Sequence, residues 1–178
     1  MALSISPKTR SQLLTLADFI VKALANELRA QGHNATGALI GSLTTRLQQK
    51  AEQTQIIGFM LRYGLALDSG VSAGRVRPGT AYIDAITRWL RAKGVTGGEQ
   101  DLKSIAFAIR NAHLTQGIPT SNSARFSSAR GRRRTGFLNV IDEMSRQITE
   151  FVAVAYDTEL NLTMDEFVKH QNQLIKVA

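Results

Sequence analysis

The sequence predicts an α+β fold: an N-terminal helix, a small antiparallel β-hairpin, and several further helices including a long C-terminal one. Three observations carry that expectation. Apolar residues recur at helical spacing over most of the chain, residues 42–61 alternate instead, and glycine or proline stops separate the periodic segments.

Ser6-Pro7 reads as an N-cap followed by proline at the first helical position, a place where proline's missing N–H costs nothing. Leu13, Leu16, Ala17, Ile20, Leu24 and Leu28 then repeat every three or four residues, which predicts a helix over 7–30. Gln31-Gly32-His33-Asn34 supplies its glycine stop, and Thr36-Gly37 opens a short segment with Leu39, Ile40 and Leu43. Residues 42–48 are threonine-rich and loosely alternating, and 54–61 alternate through Ile56, Gly58 and Met60. Two strands joined near 50–53 follow from that pattern.

A short apolar turn of helix is expected over 61–68, stopping at Ser69-Gly70, and 71–79 reads as a loop containing Gly74, Pro78 and Gly79. Tyr82, Ile83, Ile86, Trp89 and Leu90 form the next helical stripe, ending at Lys93-Gly94 with cations where the helix dipole favours them. Leu102, Ile105, Ala106, Ile109 and His113 make another, which must end before Gly117-Ile118-Pro119. Residues 120–135 are dominated by Ser and Arg, have no acid and almost nothing apolar to bury, and are expected to form a mobile loop.

Phe137, Val140, Ile141, Met144, Ile148, Phe151, Val152 and Ala155 restore a helical stripe, although 151–156 is β-prone and a strand is the alternative there. Asn161-Leu162-Thr163 reads as a cap before a last amphipathic segment, whose Phe167, Leu174 and Ile175 are too sparse to build a core. Residues 1–160 are therefore expected to form one α+β domain, with 161–178 a tail or helix for assembly contacts.

A chain of 178 residues buries roughly two thirds of its unfolded surface, enough for one sizeable core. Cysteine is absent, which excludes disulfide staples, thiol catalysis and thiolate metal sites. The longest apolar runs fall far short of the roughly 20 residues that span a bilayer, so no membrane partner is expected. The first ten residues lack the basic-then-apolar pattern of a signal peptide, and the start reads as mature sequence. A net charge of +8 and a pI near 10.3 favour polyanions or acidic partner surfaces.

Little in the sequence points to catalysis. His33, His113 and His170 lie far apart and none has two-histidine metal spacing, while Asp68, Asp84, Asp101 and Asp142 are scattered singly. No glycine-rich loop with a following Lys and Ser or Thr joins a strand to a helix. A protein that is not an enzyme, with no cofactor and no metal, is expected. The sharpest feature is Arg125, Arg130, Arg132, Arg133 and Arg134, guanidinium groups with no acid nearby. Such a cluster contacts phosphates, docks on an acidic protein surface, or stays merely solvated. Only Phe126 lies among these arginines, so base-stacking platforms are missing and any DNA contact would be to the backbone, sequence-independent and salt-sensitive.

The order of motifs resembles the neck and tail-completion (head-tail joining) proteins of tailed bacteriophages. Thr36-Gly37-Ala38-Leu39-Ile40-Gly41-Ser42-Leu43 is similar to that family's Thr-Gly-x-Leu-x-x-Ser turn before a hairpin. Tyr63-Gly64-Leu65-Ala66-Leu67-Asp68-Ser69-Gly70 resembles its aromatic-to-glycine segment with an acid at Asp68, and Arg77-Pro78 follows as the likeness expects. The likeness spans about residues 13–119, and the arginine-rich segment departs from it. It implies a structural virion protein, made in the bacterial host cytoplasm, that forms a ring of six or twelve copies around the DNA channel. Its partners would be itself, neighbouring neck, portal-adaptor or tail-tube and sheath proteins, and channel DNA without sequence preference. The alternative function is a sequence-independent DNA-binding accessory protein that uses the five arginines.

Overall fold

The computed structural model describes residues 5–50, 53–77, 79–121 and 135–177, with side chains as far as residue 169. Seven helices and a two-stranded antiparallel sheet follow in the order α1 (Pro7–Ala30), α2 (Ala38–Ser42), β1 (Thr44–Gln49), β2 (Thr54–Phe59), α3 (Tyr63–Ser69), α4 (Thr80–Ala92), α5 (Glu99–Gln116), α6 (Asn139–Glu143) and α7 (Ser145–Val177). A single 3-10 turn, Ala73–Arg75, interrupts the loop before α4. This is the α+β layout read from the sequence, with the N-terminal helix, the hairpin and the long last helix in place.

The predicted stops act as predicted. The Ser6 hydroxyl accepts the Thr9 N–H at 3.1 Å, capping α1 at its third helical residue. At the other end Gly32 takes φ 78°, the His33 N–H reaches the Leu28 carbonyl at 2.8 Å and the Gly32 N–H the Arg29 carbonyl at 2.9 Å. That pair of bonds is a Schellman closure, and it needs the left-handed residue that glycine adopts without strain. Helix α4 ends the same way through Gly94, with the Val95 N–H on the Leu90 carbonyl at 3.0 Å.

The chain forms two compact units. The first takes residues 1–23, 44–58 and 141–178. In it α1 and α7 run antiparallel: Ser6 and Thr9 meet Glu159, Gln12 meets Thr158, and the Phe19 and Phe151 rings meet at a tilt of 35° with centroids 5.8 Å apart. Leu16 and Ala17 of α1 and Ala155 of α7 are buried. The Glu159 carboxylate accepts the Ser6 N–H at 3.0 Å and the Thr9 hydroxyl at 2.5 Å, so an α7 side chain satisfies donors at the start of α1. These bonds favour the charged carboxylate and hold its pKa below the usual glutamate value.

The second unit takes residues 24–43 and 59–140. Ile83, Ile86 and Leu90 of α4 pack on Leu102 and Ala106 of α5, with Tyr82 and Ile109 at the edge of that cluster. The glycines before and after the α4–α5 pair fix a close crossing: Val71 and Ile118 form an antiparallel bridge with N–H to O distances of 2.8 and 2.7 Å. A Cβ on Gly117, at φ 81°, would lie 2.5 Å from the Val71 carbonyl oxygen.

Two sequence expectations are corrected. The stripe from Phe137 to Ala155 is not one helix, because the Met144 N–H makes a tight bond to the Ile141 carbonyl at 3.2 Å and the ladder restarts with Ile148 on Met144. Asn161-Leu162-Thr163 is not a cap, since α7 runs through it. The Thr163 hydroxyl donates to the Glu159 carbonyl at 2.9 Å, a bond to the preceding turn that lets threonine sit inside a helix. The β-prone run 151–156 is helical. The arginine-rich loop lies almost wholly outside the described residues.

Candidate functional site

The described residues among those that carry the motif likeness lie in the second unit. Gly37 takes φ 68° and starts α2, whose Leu39 is buried at 2% exposure. The Ser42 hydroxyl donates to the Leu39 carbonyl at 2.7 Å and accepts the Leu61 N–H at 3.0 Å, so it ties the end of α2 to the chain that enters α3. Asp68 accepts the Leu138 N–H on its carboxylate at 2.8 Å and the Gly136 N–H on its carbonyl at 2.7 Å. Gly70, at φ 75°, lies where a Cβ would meet the Ile118 carbonyl oxygen at 2.7 Å. Ser42, Asp68 and Gly70 therefore brace the fold. Pro78 and Arg125, Arg130, Arg132, Arg133 and Arg134 lie outside the described residues.

Thr36, Leu39 and Tyr63, by contrast, line one cavity of about 490 Å³. Its other walls come from Trp89 of α4, Ile109 and His113 of α5, and the Ile118-Pro119 segment. Close approach of α3 to α2 shapes it: a Cβ on Gly64 would lie 3.0 Å from Leu39 Cδ1 and 2.7 Å from Met60 Sδ. Apolar groups dominate the lining, with His33, Thr36, Thr120 and Thr135 adding polar points. The volume falls in the range of binding cavities, roughly 300–1,000 Å³.

His113 Nδ1 lies 2.7 Å from the Tyr82 hydroxyl. Burial lowers the His113 pKa and raises that of Tyr82, so both groups favour their neutral forms, in which one of the two donates to the other. Burial also raises the Tyr63 pKa, partly opposed by the Leu39 backbone. Among the described residues no three His, Asp or Glu side chains gather as a metal-ligand set, and no helix is long and apolar enough to cross a membrane.

A second feature lies in the first unit, on α7. At about 100° per residue, Tyr156, Leu160, Met164, Phe167 and Val168 fall on one stripe about 120° wide. All five are exposed, Tyr156 at 72%, while Ala155 on the opposite side is buried at 1% exposure. From Thr163 to Lys169 every residue is exposed, so these turns bury nothing against the described residues. The spacing i, i+4, i+8, i+12 of Tyr156, Leu160, Met164 and Val168 was the available sequence signal. The supposed cap at 161–163 cuts it in two and hides it.

Comparison of the chain with protein-family models, curated proteins and solved structures found no match.

Proposed function

We propose that the chain is a structural assembly subunit, not an enzyme, that forms a ring at the neck of a tailed phage and joins head to tail around the DNA channel. One observation carries the assembly reading: a helix face of large apolar side chains, on the side of α7 opposite the buried Ala155, over turns whose described residues are all exposed from Thr163 to Lys169. Exposed apolar side chains scattered singly are ordinary, but a continuous stripe marks an interaction surface. The hairpin adds to it, because a two-stranded sheet alone is marginal in water and β2 pairs with no described strand other than β1.

The neck assignment rests on the motif likeness, to which the cavity lends a physical sense. Thr36, Leu39 and Tyr63, drawn from the two motif segments, share one wall system. A ring needs two different adhesive faces on each copy, one to give and one to receive.

Quantitative mass spectrometry of purified particles from the source phage or prophage tests the reading, counting this chain against a portal protein of known copy number. About six or twelve copies per particle is the expected result. Absence from particles overturns it and promotes the DNA-binding alternative, for which the basic charge of the second unit and the five arginines are the motive. That alternative predicts duplex affinity that falls steeply with salt and disappears when the arginines are neutralised.

A further inference from the structure

We propose that the C-terminal half of α7 from one copy seats its apolar stripe in the cavity of the next copy, which makes the contact head-to-tail. This rests on the ring reading and names the two faces it requires.

Apolar character and size agree on both sides. The stripe offers Tyr156, Leu160, Met164, Phe167 and Val168, on the order of 500 Å² of exposed apolar surface, near the top of the range found on monomers. The cavity, about 490 Å³ and walled by Leu39, Tyr63, Trp89, Ile109 and Ile118, has room for several of these side chains.

Charge selects the occupant. The second unit, which holds the cavity, carries fourteen Lys and Arg against five Asp and Glu, a net of +9. Five of those cations lie within residues 122–134; without them the balance is still +4. Residues 141–178 carry three Lys and Arg against seven Asp and Glu, a net of −4. Basic residues sit beside the lining in sequence: Arg62 before Tyr63, Arg88 before Trp89 and Arg110 after Ile109. Lys93 Nζ bonds the carbonyl of the lining residue Gly32 at 2.9 Å. Of the acids next to the lining, Asp68 is tied to Leu138, and Asp84 is the other. On α7, Asp157 and Asp165 border the stripe. An acidic helix with an apolar stripe and an apolar cavity set in a basic unit of the same chain are complementary between copies. Since they are different patches, the contact is heterologous: it propagates from copy to copy and closes into a ring if the rotation allows.

The test uses two full-length variants in sedimentation velocity at about 100 μM, well above the dissociation constant of a micromolar contact. The double variant Leu160→Asp with Phe167→Asp spoils the giving face; Ala85→Arg, at an exposed lining position of α4, blocks the receiving one. Far-UV circular dichroism checks that both keep their helices. Wild type is expected to associate, each variant alone to weaken association at least tenfold, and an equimolar mixture to form dimers and nothing larger. In that mixture one sound helix meets one sound cavity, and no further site remains. Variants that associate like wild type, a mixture that stays monomeric, or a monomeric wild type would each overturn the proposal. The ring reading fails separately, by absence of the chain from particles.

Discussion

Glu159 fastens α7 to the start of α1, and replacing it with Gln tests how much of that pairing is electrostatic. The carboxylate accepts the Ser6 N–H at 3.0 Å and the Thr9 hydroxyl at 2.5 Å, while the Ser6 hydroxyl donates to Thr9 Oγ1 at 2.9 Å. Thr9 is buried, so its hydroxyl has little water to turn to. A glutamine presents one accepting oxygen. If that oxygen keeps the Ser6 N–H, the amide nitrogen faces a hydroxyl oriented to donate, and the chain of bonds must reverse. Bonds to a charged group contribute about 1.5–3 kcal/mol each when sheltered; partial solvation reduces the loss here to about 1–2 kcal/mol. For a chain of this length that lowers the melting temperature by about 2–8 °C.

The pH dependence follows by linkage. The folded pKa of Glu159 is depressed below the unfolded value near 4.5. The stabilisation is therefore complete above the unfolded value and is lost as pH falls through the folded one. Thermal unfolding by circular dichroism at pH 7 and at pH 3 should show the wild type above Glu159→Gln at neutral pH, with the gap narrowing in acid. Glu150→Gln is the control, since its pair with Arg146 is solvent-exposed and should matter by less than about 0.5 kcal/mol. An equal gap at both pH values, or a control as damaging as the test, would refute the reasoning.

Gly117→Ala should destabilise the second unit by about 2–4 kcal/mol, because it combines a left-handed backbone with a Cβ 2.5 Å from the Val71 carbonyl oxygen; urea unfolding of the full chain measures it. His113 has a folded pKa below 6.5, so its contribution to stability is complete above pH 6.5 and declines as pH falls toward the folded value. An imidazole NMR titration should place its midpoint below that of a solvent-exposed histidine, and unfolding of His113→Asn should lose the corresponding pH dependence.

Much of this fold is legible in the sequence because its punctuation is local. Pro7, Gly32 and Gly94 act through backbone conformations that depend on a few neighbouring residues, so the ends of α1 and α4 can be read directly. Thr163 misleads for a related reason: a threonine hydroxyl serves equally as a cap or as a bond to the preceding turn, and only the surrounding helix decides. The break at Met144 is invisible to periodicity, since Val140, Met144 and Ile148 keep four-residue spacing across it. Half of the cavity is legible too. Thr36, Leu39 and Tyr63 stand in recognisable motifs, whereas Trp89, His113 and Ile118 join them only through the packing of α4 on α5 and the Val71–Ile118 bridge.

The two strands of the hairpin differ in how they are defended. β1, Thr-Thr-Arg-Leu-Gln-Gln, carries the charge of Arg46, but β2, Thr-Gln-Ile-Ile-Gly-Phe, has neither charge nor proline along its length. A backbone edge cannot tell its proper neighbour from any other extended chain, and lysine, proline or a bulge is what ordinarily keeps strangers away. The unguarded side of β2 therefore sets a ceiling on how concentrated the free polypeptide can become before mispairing competes with correct folding, and recombinant yield should rise when a lysine replaces Gln55.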